Sequence, residues 1–482
     1  MLSVTVLGLA FVVYVVFSSW RLLNSPLWAI PGPFWSRFTS VPLRWHEFRA
    51  NRTAYIHQLH LTYGPAVRIA PNEVSFTSFE AVKEIYGSSG SGYDKTNFYN
   101  LFTVFGRRTM FSTLDKTSHA KRKRLLADKY ANSNVVKPAS LSGIQDLVTE
   151  FASQCEGSAT SVDIYVKLHA FACDGVTHHL FHPYGTDCLR NQKDRQLMHQ
   201  VIADDSLQSR LIKLHYPSLY RYASKIIGLF LEVRATPLAD AFVLQRPKYH
   251  DSAEFTLLSR LREKLGDQLT ELDVSAECLD HMVAGIDTTG DVLCFLMWEL
   301  SQPRSEHYQT RLREELRQNP TEAFDKLPYL DAVVQEGLRC FPAIPMSLPR
   351  VVPDGGRVID DVPVPEGTIV SCQAHSVQRY NGHVYADPER FDPDRWLSSD
   401  GADERRRHMF AFSYGGRGCV GKHLAIAEMK LLLREVYSRF RSMPDPTMSD
   451  ESMRSHDQLI SARPYGQKCL LQFMRVSDSD LL

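Results

Sequence analysis

Hydrophobic positions along this 482-residue chain fall into three successive patterns. From Leu2 to Trp20 no residue carries a charge, and the valines, leucines and phenylalanines leave no polar face. At about 1.5 Å of rise per residue, such a helix covers most of a hydrocarbon core about 30 Å thick. Residues 1–20 therefore predict a membrane anchor. A cleaved signal peptide is the competing reading, but the stretch lacks a basic start and a small-residue cleavage site. Arg21, Arg37 and Arg44 follow the span, and the positive-inside tendency puts what comes after on the cytosolic side. Ile30-Pro31-Gly32-Pro33 is a stiff break, so residues 21–33 read as a hinge.

Beyond the hinge the period changes repeatedly. Residues 66–76 alternate in strand fashion around Pro71-Asn72, residues 79–86 read as a short helix, and residues 119–130 as a basic one. Residues 140–265 look mostly helical without a readable motif. Residues 276–300 form a long apolar helix with a polar interruption at its centre. Residues 306–319 make an amphipathic helix stopped by Pro320, and residues 330–341 another stopped by Pro342. Residues 350–377 switch to alternation broken by Pro-Gly turns, and a last helix runs over about 420–440. The sum is mainly α with a small β region (α+β). No linker or like-charge block divides residues 34–482, which read as a single domain.

Lys+Arg and Asp+Glu both number 55, so no net charge favours a polyanion such as nucleic acid. Nine cysteines, an odd number without C-x-x-C, argue against a disulfide framework or zinc cluster and for a reducing compartment. Residues 93–111 are dense in aromatics, including Phe98, Phe102 and Phe105. They read equally as core or as a loop closing an apolar pocket.

The chemistry concentrates in Phe412-Ser413-Tyr414-Gly415-Gly416-Arg417-Gly418-Cys419-Val420-Gly421. Its glycines let the backbone pass close to a flat ligand. A cysteine entering a helix has its thiolate stabilised by free N–H groups and the helix dipole. Arg417 offers a guanidinium for a carboxylate. The segment fits F-x-x-G-x-R-x-C-x-G, and in this the chain resembles the cytochrome P450 superfamily, whose haem iron is held by a cysteine thiolate.

The resemblance extends to Ala284-Gly285-Ile286-Asp287-Thr288-Thr289, similar to the family's A-G-x-D-T-T stretch, and to Glu336-Gly337-Leu338-Arg339 with Phe391-Asp392-Pro393-Asp394-Arg395-Trp396. It implies a cytochrome P450 fold and haem b as cofactor, with Cys419 as axial ligand. Phe412, Arg417, Gly421, Ala284 and Gly285 would lie against the cofactor, Gly285 leaving room for dioxygen. Asp287 and Thr288 would deliver protons. Glu336, Arg339 and Arg395 would form a buried structural triad, with Pro388-Glu389-Arg390-Phe391 a decoy by registry. His119, Lys123 and Arg350 would hold the propionates, with Arg122 or Arg124 as substitutes for Lys123. By family position, Phe102, Phe105, His281, Ile344 and Pro345 would line the substrate pocket.

The resemblance further implies a monooxygenase acting with dioxygen on an apolar small molecule. No G-x-G-x-x-G fingerprint supplies a nicotinamide site, so the implied electron donor is NADPH–cytochrome P450 reductase. Arg405, Arg406 and Arg407 read either as its docking patch or as a solvated charge run. The implied setting is the endoplasmic reticulum membrane, and the motif style is similar to fungal enzymes of terpenoid or polyketide metabolism. Two rivals stand beside this reading: a haem-thiolate isomerase or dehydratase working without dioxygen, and a non-catalytic haem sensor.

Overall fold

Two helices form the centre of the protein: Glu271–Leu300, and Ile164–Phe181 packed along it. This computed structural model describes residues 25–87, 92–156 and 161–476. The expected anchor at residues 1–20 lies outside them. Among the described residues no helix is long and apolar enough to cross a membrane.

Ile164–Phe181 is buried on nearly every face, as a helix without a polar stripe must be. Asp163 starts it, its side chain accepting the Tyr165 N–H at 3.1 Å. Glu271–Leu300 starts in a reciprocal cap: Thr270 Oγ1 accepts the Asp273 N–H at 3.2 Å, and Asp273 accepts the Thr270 N–H at 3.0 Å. The polar stretch in its middle does not break it. The helix runs through Ala284–Thr289 without interruption, because burial against its neighbour outweighs the weak propensity of Gly285 and two threonines.

Pro328–Cys340 and Lys422–Arg439 pack on each other, and both touch Glu271–Leu300. The segment read as mostly helical does hold a run of helices, from Pro138–Cys155 to Leu257–Arg262. The β region is a five-stranded sheet. Ala66–Ala70 and Glu73–Phe76 form its hairpin, followed in order by Ile369–Cys372, Arg350–Val351 and the edge strand Asp94–Lys95. The sheet has its own apolar cluster around Val74, Phe76, Val370 and Cys372. The cysteine loop lies between the helical core and this second cluster, with Phe412 packed on the first and Tyr414 on the second.

Candidate haem site

The loop from Phe412 to Gly421 is held in shape by its own backbone. The Cys419 N–H donates to Phe412 O at 2.9 Å and the Gly418 N–H to Gly415 O at 3.0 Å. Gly415 has φ +68°, and a Cβ there would stand 2.1 Å from Tyr86 O, so only glycine fits. Helix Lys422–Arg439 begins directly after the loop. Burial raises the Cys419 thiol, while the N–H groups of Gly421 and Lys422 and the charges of Lys123 and Lys422 oppose that rise. Cys419 nonetheless keeps accessible surface, unlike the other cysteines, which are buried and free. It is therefore an uncovered sulfur inside protein, aimed at by donors that favour thiolate, and a coordinated metal ion would complete the ionisation.

Beside the loop stands a cluster of buried cations. Arg417 reaches Asp94 Oδ1 and Leu114 O, each at 3.4 Å, but its Nε and Nη1 are buried with no partner among the described residues. Burial and then Arg350 lower its guanidinium to about 10. Arg350, 3% exposed, donates to Tyr99 OH at 2.9 Å. Lys95, also buried, donates to Phe111 O at 2.5 Å and sits over the rings of Tyr99 and Phe111. Burial pushes its ammonium well down, followed by Arg350, Arg417 and Lys123. His119 is held neutral, lowered to about 3 by burial and then by Lys95, Arg417, Lys123 and Arg350. Orphaned guanidinium nitrogens among mutually repelling cations fit an anionic ligand, and the two carboxylates of a haem match that donor set. Lys95 is a residue the sequence reading missed. Its signal was an isolated lysine inside the aromatic run.

Lys123 is placed differently from expectation. Its Nζ donates to Gly416 O at 3.0 Å and Gly418 O at 2.8 Å, so it braces the cysteine loop. Its proposed substitute Arg122 pairs with Glu277 at 3.3 Å.

The middle of Glu271–Leu300 leaves Ala284 exposed and Gly285, Asp287 and Thr288 half-buried between buried neighbours. Thr288 Oγ1 donates to Ala284 O at 2.7 Å. Burial, then the charge of Asp291, pushes the Asp287 carboxyl up to about 7. Gly285 has a packing role. A Cβ there would lie 2.6 Å from Val176 Cγ2, so the glycine admits Ile164–Phe181 to close packing. His281, expected to line the pocket, is held by polar partners. Its Nδ1 meets Tyr130 OH at 2.6 Å and its Nε2 faces Glu277 at 3.4 Å, a buried polar network. Phe102 packs on Phe111 and under Arg210, Phe105 and Ile344 are half-buried, and Pro345 is buried.

The triad residues meet at Glu336. Arg339 Nε and Nη2 donate to its two oxygens, each at 2.8 Å, and Arg395 Nε donates at 3.0 Å. Trp396 Nε1 adds a bond at 2.9 Å. These contacts outweigh the burial that opposes ionisation, and Glu336 is held below the usual carboxylate range. Arg390, the decoy, bonds Tyr308 OH instead. Gln378 carries the network to the loop, donating to Arg339 O at 2.9 Å and accepting the Phe410 N–H at 2.8 Å. Nothing local in the sequence marked it.

The sequence profile of the family "Cytochrome P450" matches residues 30–470. The chain belongs to the cytochrome P450 family. Among similar proteins is cytochrome P450 monooxygenase stcB of Emericella nidulans, 30% identical over 93% of this chain and 88% of the relative. Cytochrome P450 monooxygenase tazI of Aspergillus terreus is 29% identical over 95% of this chain and 96% of its own length. Cytochrome P450 monooxygenase aflV of Aspergillus parasiticus is 27% identical over 93% and 91%. As a P450 monooxygenase the protein uses haem with thiolate-bound iron, and the uncovered sulfur and buried cations described above accommodate that cofactor.

The arginine run does not form a free basic patch. Arg405 is buried, and Arg406 and Arg407 pair with Asp403 at 3.0 Å and Glu404 at 2.7 Å.

Proposed function

We propose that this P450 inserts one oxygen atom from dioxygen into an apolar small molecule, with Cys419 as axial ligand and Asp287 and Thr288 as the proton-delivering pair. The observation that carries this reading is the uncovered Cys419 sulfur at a helix N-terminus, flanked by the orphaned nitrogens of Arg417. Haem would rest between the cysteine loop and Ala284, its propionates held by Arg350, Arg417 and Lys95. When bound, it supplies dioxygen activation, favoured by electron donation from the thiolate.

The residues of the chain do the rest. Asp287, poised near neutrality, can both hold and release a proton at working pH. Thr288 keeps its hydroxyl hydrogen on Ala284 O, which leaves the oxygen free to accept. Passing a proton onward requires the hydroxyl to accept from the Asp287 side and give up the Ala284 bond. The rings of Phe98, Phe102 and Phe111 pack on one another, and on this reading they would keep water from the reacting centre.

Electrons come, on this reading, from NADPH–cytochrome P450 reductase, and the protein works at the endoplasmic reticulum membrane. Supporting the membrane setting, Phe34, Trp35, Phe38, Val41 and Trp45 are exposed, as are Leu219, Tyr222, Ile226, Leu229 and Phe230. Arg44 Nη1 joins the two groups through Tyr216 OH at 3.3 Å. The first of these groups lies near the start of the described chain, just after the uncharged segment. The fungal sources of the relatives support a role in secondary metabolism, on a terpenoid- or polyketide-type substrate.

Incubation of candidate substrates with protein, reductase and NADPH tests the reading. Product requiring all three and dioxygen supports it. Product formed without dioxygen overturns it in favour of an isomerase or dehydratase.

A further inference from the structure

Two polar side chains meet inside the apolar packing of Ile164–Phe181 on Glu271–Leu300. His169 is 1% exposed and Asp291 4%, with Nε2 and Oδ1 3.4 Å apart. The neighbouring Gly290 makes the meeting possible, since a Cβ there would lie 2.7 Å from His169 Cδ2. His169 Nδ1 lies 2.7 Å from Tyr165 O. A carbonyl only accepts, so Nδ1 carries a hydrogen. Neutral imidazole would then turn the lone pair of Nε2 toward a carboxylate, which is repulsive. At 3.4 Å the two atoms make an ion-pair contact and not a formed hydrogen bond, and the charge pattern favours one more proton on the pair, as imidazolium and carboxylate or as imidazole and carboxylic acid. Burial raises Asp291, and Asp291 in turn holds His169 up against the opposing effect of burial.

The position of the pair gives that proton a destination. Asp291 lies four residues after Asp287, on the same helix face, and the two acids feel each other's charge. On the other side, exposed His199 of Gln192–Ile202 feels His169. His169 and Asp291 touch, Asp287 follows one helical turn away beside Thr288, and exposed His199 lies within electrostatic reach of His169. The other charged or titratable groups acting on this path are Tyr165, Cys294, Arg195, Arg210, Arg234, Arg463 and Asp204.

We propose that the buried His169–Asp291 pair is the proton store that reloads Asp287, resting on the reading of Asp287 and Thr288 as the delivering pair. The proton passes from the pair, through an intervening water, to the Asp287 carboxylate. The pair is left as neutral imidazole and carboxylate, and solvent on the His199 side returns one proton. No electrons move.

The test compares Asp291→Asn, Asp291→Glu and Asp287→Asn, each first shown to give the wild-type carbon monoxide spectrum. Asp291→Asn is expected to lower product per NADPH about tenfold, a modest share of what proton transfer by a placed group supplies. The decline should begin at lower pH than in wild type, because Asp287 loses both its reload and the charge that raises it. Asp291→Glu should restore most of the coupling, which a purely structural role would not predict. Should Asp291→Asn fail to fold, His169→Gln carries the test, since it keeps a donor toward Asp291 but cannot relay.

A second readout needs no turnover. In 15N-histidine spectra of the ferrous carbon monoxide complex, the His169 resonance, identified by its loss in His169→Gln, should show the shared proton through neutral pH. Wild-type coupling in Asp291→Asn beside impaired Asp287→Asn would overturn the proposal alone. Unchanged coupling in Asp287→Asn would overturn the delivery reading and this proposal with it. A plain neutral His169 ring would overturn the proton store by itself.

Discussion

Lys95 stands directly opposite Arg350 across two antiparallel strands. Directly opposed like charges destabilise a strand pair, and here both are buried. Hydrogen bonds and ring faces hold both, but neither has a carboxylate bonded to it among the described residues, so an anion beside them would relieve the repulsion. Lys95→Met is expected to speed haem loss to a haem-scavenging protein about tenfold, the loss of one charge-assisted bond. A wild-type rate of haem loss would remove Lys95 from the cofactor site.

Gln378 links the Glu336 network to the cysteine loop through Arg339 O and the Phe410 N–H. Gln378→Ala leaves both buried groups without that partner and is expected to cost about 1–3 kcal/mol. Glu336→Ala strands two arginines and is expected to cost about 3–5 kcal/mol. Thermal unfolding and the fraction of protein recovered with haem measure both, and the order of the two losses is the prediction.

The local motifs were readable because their partners lie a few residues apart or recur as a set: the Cys419 loop, the Asp287-Thr288 step and the Glu336–Arg339 pair. Gln378 and Lys95 act through contacts far along the chain, at Phe410 and Arg350, and no local pattern encodes those. The polar partners of His281 were hidden for another reason. Which way a helix turns a given residue is set by its neighbours, here Tyr130 and Glu277. The close approach of Val176 to Gly285 was equally hidden, because sequence does not show which helix packs against the glycine. Helix ends shifted by a few residues, as with Lys116–Leu126, which Asp115 caps earlier than the basic pattern suggested.

Gly415 and Gly367 both have positive φ, but an added Cβ at Gly415 meets Tyr86 O at 2.1 Å whereas Gly367 has nothing within 4 Å. Gly367→Ala should cost about 1 kcal/mol, the strain of the backbone alone. Gly415→Ala should cost several times more, about 3 kcal/mol or above, and lower haem content. Denaturant unfolding of both variants checks this, and equal losses would contradict the close approach.

Asp287, pushed up to about 7, carries its proton below that pH and loses it above. Product per NADPH should therefore fall as pH rises through about 7, with peroxide released instead, while Asp287→Asn should be poorly coupled throughout. The same shift predicts a stability effect of definite sign. A carboxyl whose folded pKa lies above its unfolded value stabilises the fold at low pH and loses that contribution as pH rises toward 7. The difference in thermal midpoint between wild type and Asp287→Asn should thus change across this window, and a pH-independent difference would contradict the raised carboxyl.

The thiolate of Cys419 is best tested by the carbon monoxide difference spectrum of the reduced protein. The wild-type chain is expected to give the thiolate-type band, and Cys419→Ser to lose it while remaining folded. A thiolate-type band that survives Cys419→Ser would contradict the assignment of the iron to this sulfur.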